Sequence, residues 1–274
     1  MEFIHLRAAD GATAKISPLG AHVCSWIPAQ GKEQLFLSQK TEFKEGVAIR
    51  GGIPVIFPQF AGLGSLPKHG FARTALWQAD TPFLQEDGAA VVEFHLKENI
   101  ARLTIWPYVF QATIRVQLLA QQLQVTLTVH NSGDTAFSFT SALHTYLAVS
   151  ELSQARLLGL QDCRYRDSVL AQDNCLEQDA YVQINGETDR IYRDVPDLLR
   201  LEQAHQRLDI RQQGFKDAVV WNPGPAAAVK LPDFESGGEQ KMLCVEAAAI
   251  SQPIHLAPGA HWSGSQLLQC ELLA

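Results

Sequence analysis

No stretch of the chain approaches the run of about 18 consecutive apolar side chains that a membrane-spanning helix needs, and none reads as an amphipathic helix of twelve or more residues. The opening MEFIHLRAAD lacks the basic start, long apolar middle and small-residue cleavage site of a secretory leader. A cytoplasmic protein with no membrane partner is the expectation. The five cysteines, Cys24, Cys163, Cys175, Cys244 and Cys270, are odd in number and contain no CxxC pair. They speak against a disulfide framework and a zinc knuckle, and in favour of reduced thiols. Positive charge is also in short supply, with 22 Lys and Arg against 29 Asp and Glu and a formal net charge of −7. Nucleic acid and anionic membrane surfaces are poor partners for such a chain, because neutralising their phosphates takes a basic surface. An anionic small substrate would need a local cluster of cations. HExxH, the phosphate-cradling P-loop, GxGxxG and GxSxG are absent as well, which removes the anchors of zincin, nucleotide-binding and common hydrolase chemistries.

What the chain has in quantity is alternation. With 46% hydrophobic and 19% charged residues it can build a sizeable core, and its 274 residues fit one large all-β domain spanning 1–274. Every second residue of 110–118 is apolar, and Leu123, Val125, Leu127 and Val129 repeat the pattern after a short turn, which predicts a hairpin. Val92, Phe94 and Leu96 predict another strand, and residues 266–273 a closing one. Only 198–204 leaves room for a turn or two of helix. Short strands separated by Gly, Pro, Asn and Asp predict a large antiparallel sandwich. Two Gly- and Pro-rich stretches, 49–73 and 221–240, are long for connections within a compact domain, and such loops usually carry function.

The first of these loops supplies the cations. Arg50, Lys68, His69 and Arg73 lie among glycines that allow close backbone approach, and arginine presents a donor fork matched to phosphate or carboxylate. Taken alone, they also fit a solvated loop. Strand parity supplies a second candidate group. In 137–147, Phe137, Phe139, Leu143 and Leu147 share one face, so His144 and Tyr146 point to the other. Leu243, Val245 and Ala247 likewise share a face, leaving Glu246 opposite, a carboxylate with few charges near it in sequence. Asp189, in ETDRIY, is an acceptor for sugar hydroxyls or a turn residue paired with Arg190. His69, His144 and Glu246 together could also be read as a two-histidine, one-carboxylate metal site, though the neighbouring arginines suit an anion better.

The blocks RGGIPVIFPQF, LPKHGFAR, LHTYLAV, GLQDCRYRDSV, ETDRIY, WNPG, DF and CVEAA occur in this order. From about residue 13 to about residue 272, the chain resembles the glucose-6-phosphate 1-epimerase (hexose-6-phosphate mutarotase) family of the galactose-mutarotase-like fold. The resemblance implies an all-β supersandwich of antiparallel strands that binds sugar. It implies catalytic roles for His144 and Glu246, substrate contacts at Arg50, Arg73 and Asp189, and a further site residue in His69. Two positions depart from the family pattern. Lys68 stands where the family usually has a ligand-contacting glutamine, and Gly224-Pro225 follows WNP where a tryptophan and a lysine are usual, which bears on sugar preference.

The reaction implied is interconversion of α and β anomers of a phosphorylated aldohexose by ring opening and closure. A carboxylate base at Glu246 and a protonated His144 as acid suffice, so no metal or cofactor is expected. A monomer or weak homodimer is the expected assembly. Two readings stay open beside it: an aldose 1-epimerase for unphosphorylated sugars, using the same pair without needing the arginines, and a non-catalytic carbohydrate-binding protein that tolerates loss of Glu246.

Overall fold

The structure is a computed structural model and describes residues 2–273. Its alternating segments pair antiparallel into two large sheets and a small one formed by Ile4–Arg7, Thr13–Ser17 and His22–Ile27. The predicted hairpin forms between Gln111–Leu119 and Gln122–His130 around the turn Ala120-Gln121, in register from Gln111↔His130 to Leu119↔Gln122. It anchors a ten-stranded sheet that continues on one side through Ala90–Lys97. On the other side it continues through His261–Leu272, Gln206–Gln213, Leu198–Gln203 and Arg156–Leu158. The eight-stranded sheet runs Gln172–Leu176, Arg164–Asp167, Thr188–Tyr192, Asp217–Asn222, Met242–Leu256, Phe137–Leu143, Val55–Ile56, with Tyr146–Ala148 also on the long strand.

The two large sheets face each other across one core. Val92, Phe94, Ile114, Leu127, Leu208 and Leu268 come from one sheet, and Leu143, Val220, Val245 and Ala247 from the other. Burial of these period-two faces is the main driving force for the sandwich. The eight-stranded sheet is covered on its second face too, by a cluster containing Ile56, Phe60, Ala142 and Val219 and another containing Phe36, Tyr146, Phe234 and Cys244. Trp221 packs against both, at the place where the site opens.

Two expectations change. Residues 198–204 are not helical: Leu198–Gln203 is a strand paired along its length with Gln206–Gln213, burying Leu199 and Leu201. Its apolar spacing fits periods of two and three alike, and the neighbouring strand decides. The closing strand begins at His261, five residues before the alternation becomes obvious.

Loop 49–73 is pinned from below. The Phe57 ring lies 5.2 to 6.0 Å from those of Phe139, Trp106, Phe110 and Phe71. Gly52 (φ 62°) and Gly70 (φ 68°) adopt left-handed backbone, and a Cβ on either would come within 2.2 Å of the carbonyl oxygens of Val23 and Phe57, so neither position accepts a side chain. The Trp77 indole donates to the Ala72 carbonyl at 2.9 Å and holds the short turn that carries Arg73.

Candidate active site

Register brings the strand residues together. Val219 pairs with Glu246 and Asp189 with Trp221 across adjacent strands, and directly opposed residues share a face. The pairs Leu143↔Ala247 and Tyr146↔Cys244 keep one register on both sides of a gap in the ladder, which sets His144 opposite Glu246. Loop 49–73 folds over this face. Arg50, Lys68, His69, Arg73, His144, Asp189 and Glu246 all line one cavity of about 220 Å³, with Phe60, Tyr146, Trp221 and Leu231 among its other walls.

The centre of the cavity is the His144–Glu246 pair, with Nδ1 3.2 Å from Oε1 and both side chains largely removed from solvent. The approach is not aligned as a hydrogen bond, and His144 Nδ1 and Glu246 Oε2 are both buried without a partner. Most buried polar atoms find a partner, and here two adjacent ones in the same cavity lack one. Burial pushes the Glu246 carboxyl well above the ordinary range, with the nearby Asp189 adding to the effect and Arg73 opposing it. Burial also pushes His144 well below its usual value, and His69, Arg73 and Arg50 act in the same direction. Burial thus disfavours the charged form of each partner and works against the protonated histidine and carboxylate expected from the sequence. The His144 ring is held by a parallel stack on Tyr146 (4.9 Å, 11°) and an edge contact with Trp221 at 5.9 Å.

His69 has a fixed tautomer. Its Nδ1 accepts from the Ala61 N–H at 3.3 Å while its own backbone N–H donates to the Ala61 carbonyl at 2.9 Å. The ring proton therefore sits on Nε2, making His69 a neutral donor. Burial, together with Arg73, Lys68 and Arg50, lowers its pKa to about 3.

The cations divide by occupation. Arg50 is committed: its Nε and Nη2 donate to the two carboxylate oxygens of Asp233, both at 3.2 Å, and its Nη1 donates to the Tyr146 hydroxyl at 3.1 Å. Burial opposes its charge, but Tyr146 and Asp233 more than offset that. Arg73 has no such counterion. It donates only to the Lys68 carbonyl, at 3.0 Å, its Nε is buried without a partner, and among the described residues no carboxylate pairs with it. Lys68 is the exposed rim of the same cavity. Asp189 does not pair with Arg190, which turns to the other face and binds Asp167 (3.5 Å) and Glu177 (3.1 Å). Burial raises the Asp189 pKa, against a hydrogen bond from Ser168 and the charge of Lys68.

The metal-site alternative finds no support in the donor geometry. His69, His144 and Glu246 do not bring ligand atoms within 4.8 Å of one another; among the described residues only Asp80, Glu93 and His95 do so, on the surface far along the ten-stranded sheet.

Over residues 2–269 the chain matches the aldose 1-epimerase family. It belongs to that family. Aldose epimerases are isomerases, and this chain is one. It is 37% identical over 273 residues to a candidate glucose-6-phosphate 1-epimerase of Cenchrus ciliaris, covering 96% of this chain and 83% of the other. A protein of the same description from Escherichia coli K12 is 35% identical over 251 residues, 87% of this chain and 83% of that one. A solved candidate mutarotase from Salmonella typhimurium superposes with a TM-score of 0.88 at 29% identity, over 95% of this chain and 88% of that one. A galactose mutarotase-like protein from Clostridium acetobutylicum, at 18% identity and TM-score 0.76 over 98% and 95% of the two chains, shares the fold. No helix among the described residues is long and apolar enough to cross a membrane.

Sequence reasoning met Asp233 only in the DF block and gave it no role; it lies 183 residues from the Arg50 it binds. It also left Tyr146 and Trp221 out of the site, although Tyr146 shares the parity of His144. Gly224, one of the two departures from the family pattern, packs outside the cavity. At φ 60°, a Cβ there would meet the Glu187 nitrogen at 2.5 Å, so this backbone excludes the tryptophan usual at that position.

Proposed function

We propose that this aldose epimerase interconverts the α and β anomers of a D-hexose 6-phosphate, glucose 6-phosphate first among them, with His144 and Glu246 as its proton-transfer pair. The observation that carries the phosphorylated substrate is Arg73: a half-buried guanidinium without a counterion among the described residues, in the same cavity as the pair, beside Lys68. A buried cation is stable when paired, and a dianionic phosphate supplies the missing partner. The names of the relatives point the same way.

On ring opening Glu246 takes the O1 proton while His144 gives a proton to the ring oxygen. The bond from C1 to the ring oxygen breaks, leaving an open-chain aldehyde. Rotation about C1–C2 presents the other face, and reclosure runs with the roles of the two side chains exchanged. The pair holds one proton between two groups, and the charged form of the pair becomes accessible when substrate oxygens supply the hydrogen bonds that the unpartnered Nδ1 and Oε2 lack. His69, a neutral donor, and Asp189, an acceptor, orient ring hydroxyls. Proton transfer between side chains and substrate accounts for the whole reaction.

Replacing Glu246 with Gln or His144 with Ala is expected to lower kcat by roughly two to four orders of magnitude, the weight of positioned acid–base catalysis, with substrate still bound. Anomer-exchange NMR on glucose 6-phosphate measures this, and near-wild-type exchange in either variant would contradict the assignment. The full engagement of Arg50 by Asp233 favours a second reading, in which the cavity serves free aldoses. That reading predicts that loss of Arg73 leaves turnover of both sugar classes alike.

A further inference from the structure

We propose that Gln266 and Thr145 form a buried polar strut that sets the approach of His144 to Glu246, making both positioning residues of the epimerase. The inference rests on the His144–Glu246 assignment above. Gln266 belongs to the opposite sheet, in the closing strand His261–Leu272, whose even-numbered residues Gly264, Leu268 and Cys270 face the core. Alternation calls for an apolar side chain at 266, yet the chain carries an amide that is 2% exposed. It reaches across the sandwich to the two strand segments that bear the catalytic pair. Its Nε2 donates to the Val245 carbonyl at 3.0 Å, and its Oε1 accepts from the Thr145 hydroxyl at 2.5 Å. Val245 adjoins Glu246, and Thr145 adjoins His144.

The ladder shows why such a strut is needed. Thr145 lies opposite Val245, where a regular antiparallel pair would exchange two backbone hydrogen bonds. One is present, from the Val245 N–H to the Thr145 carbonyl at 3.1 Å. The reciprocal bond is missing, because the Thr145 N–H turns back to the Leu143 carbonyl at 2.9 Å and the His144 N–H goes to the Pro54 carbonyl at 3.0 Å. The backbone is thus diverted at the catalytic histidine, and the diversion strands the Val245 carbonyl in the core. An unsatisfied buried carbonyl is costly. Gln266 satisfies it and, through its other end, ties down the diverted residue. The strut joins the two sides of the ladder gap from beneath, where no substrate reaches. It touches neither sugar nor the reacting atoms and acts only through the placement of His144 and Glu246.

Thr145→Val, Thr145→Ser and Gln266→Leu, each checked for folding by circular dichroism, test this by anomer-exchange kinetics and by binding calorimetry with glucose 6-phosphate. Thr145→Val and Gln266→Leu are expected to lower kcat about 10- to 100-fold, the effect of misplacing a reacting group by about 1 Å, while the Kd and KM change less than about threefold. Thr145→Ser keeps the hydroxyl and is expected to restore kcat to within about threefold of wild type. Folded Thr145→Val and Gln266→Leu proteins with wild-type kcat would overturn the proposal, as would a loss explained by a reduced folded fraction or one that Thr145→Ser shares. Glu246→Gln run alongside separates the two claims. If it abolishes exchange and the strut variants do not slow it, only the strut fails; if it exchanges at the wild-type rate, the catalytic assignment itself is lost.

Discussion

Three histidines in this molecule are buried where a positive charge is unwelcome. His22 is fully enclosed, its Nε2 donating to the Gly51 carbonyl at 2.7 Å and its Nδ1 without a partner, and burial, against that hydrogen bond, lowers its pKa to about 4. His69 falls to about 3 and His144 well below its ordinary value, both through burial first. A pKa depressed by folding contributes stability that is present above the unfolded value of about 6.5 and is lost as pH falls towards the folded value. Each histidine that stays neutral then weakens the fold by about 1.4 kcal/mol per pH unit, roughly 2 kcal/mol at pH 5. Glu246 works in the opposite sense, since its raised carboxyl pKa favours proton uptake in the folded state and so offsets part of the His144 effect. Chemical denaturation is therefore expected to show a net loss of stability between pH 7 and pH 5, carried by His22 and His69 and made shallower by His22→Gln, which retains a donor for Gly51. A stability independent of pH over this range, or a slope unchanged in His22→Gln, would contradict the assignment of these side chains as buried neutral groups. The catalytic roles of His144 and Glu246 came from the family resemblance, but that both side chains leave the core face was legible by parity, because their own strands show which face is core. Their protonation was not, because it depends on how tightly loop 49–73 closes over them and on cations contributed from that loop.

At the scale of elements, the segment around Asp233 converts one of the loop arginines into a structural residue. Asp233 holds Arg50 through both carboxylate oxygens, Leu231 walls the cavity, and Phe234 packs on Phe36 with ring centres 5.5 Å apart. Asp233→Ala leaves a half-buried guanidinium without its anion and is expected to destabilise the fold by about 1–3 kcal/mol, the usual range for losing a well-aligned, partly screened charged hydrogen bond. Since a phosphate can then take the vacated donors, glucose 6-phosphate should raise the Tm of Asp233→Ala by more than it raises that of the wild type. Equal shifts in thermal melts would show that substrate phosphate does not reach Arg50. The alternating strands, the central hairpin and the loop carrying the cations all follow from local pattern, since each is decided by neighbours in sequence. The strand at Leu198–Gln203 was ambiguous because its apolar residues fit two periods, and the Asp233–Arg50 clamp was invisible because nothing local marks a partner so remote. Gln266 escaped for the opposite reason: it occupies a core-facing position in an otherwise ordinary strand, and only the ladder gap across the sandwich gives it a task.

At the scale of the whole molecule, a chain of net charge −7 is assigned a dianionic substrate, so attraction must come from the cavity rather than from the overall field. Arg73 and Lys68 are its cations without a carboxylate partner among the described residues, and Arg73 is the more deeply set. A charge-assisted hydrogen bond contributes about 1.5–3 kcal/mol, and about 1.4 kcal/mol is a factor of ten. The decisive measurement is anomer-exchange NMR on glucose 6-phosphate and on free glucose, comparing wild type with Arg73→Ala. The account predicts a KM for glucose 6-phosphate raised roughly ten- to hundredfold in the variant, with the slower exchange of free glucose nearly unchanged. If Arg73→Ala slows both sugars equally, or neither, the phosphate is not recognised here and the cavity is that of an epimerase of free aldoses.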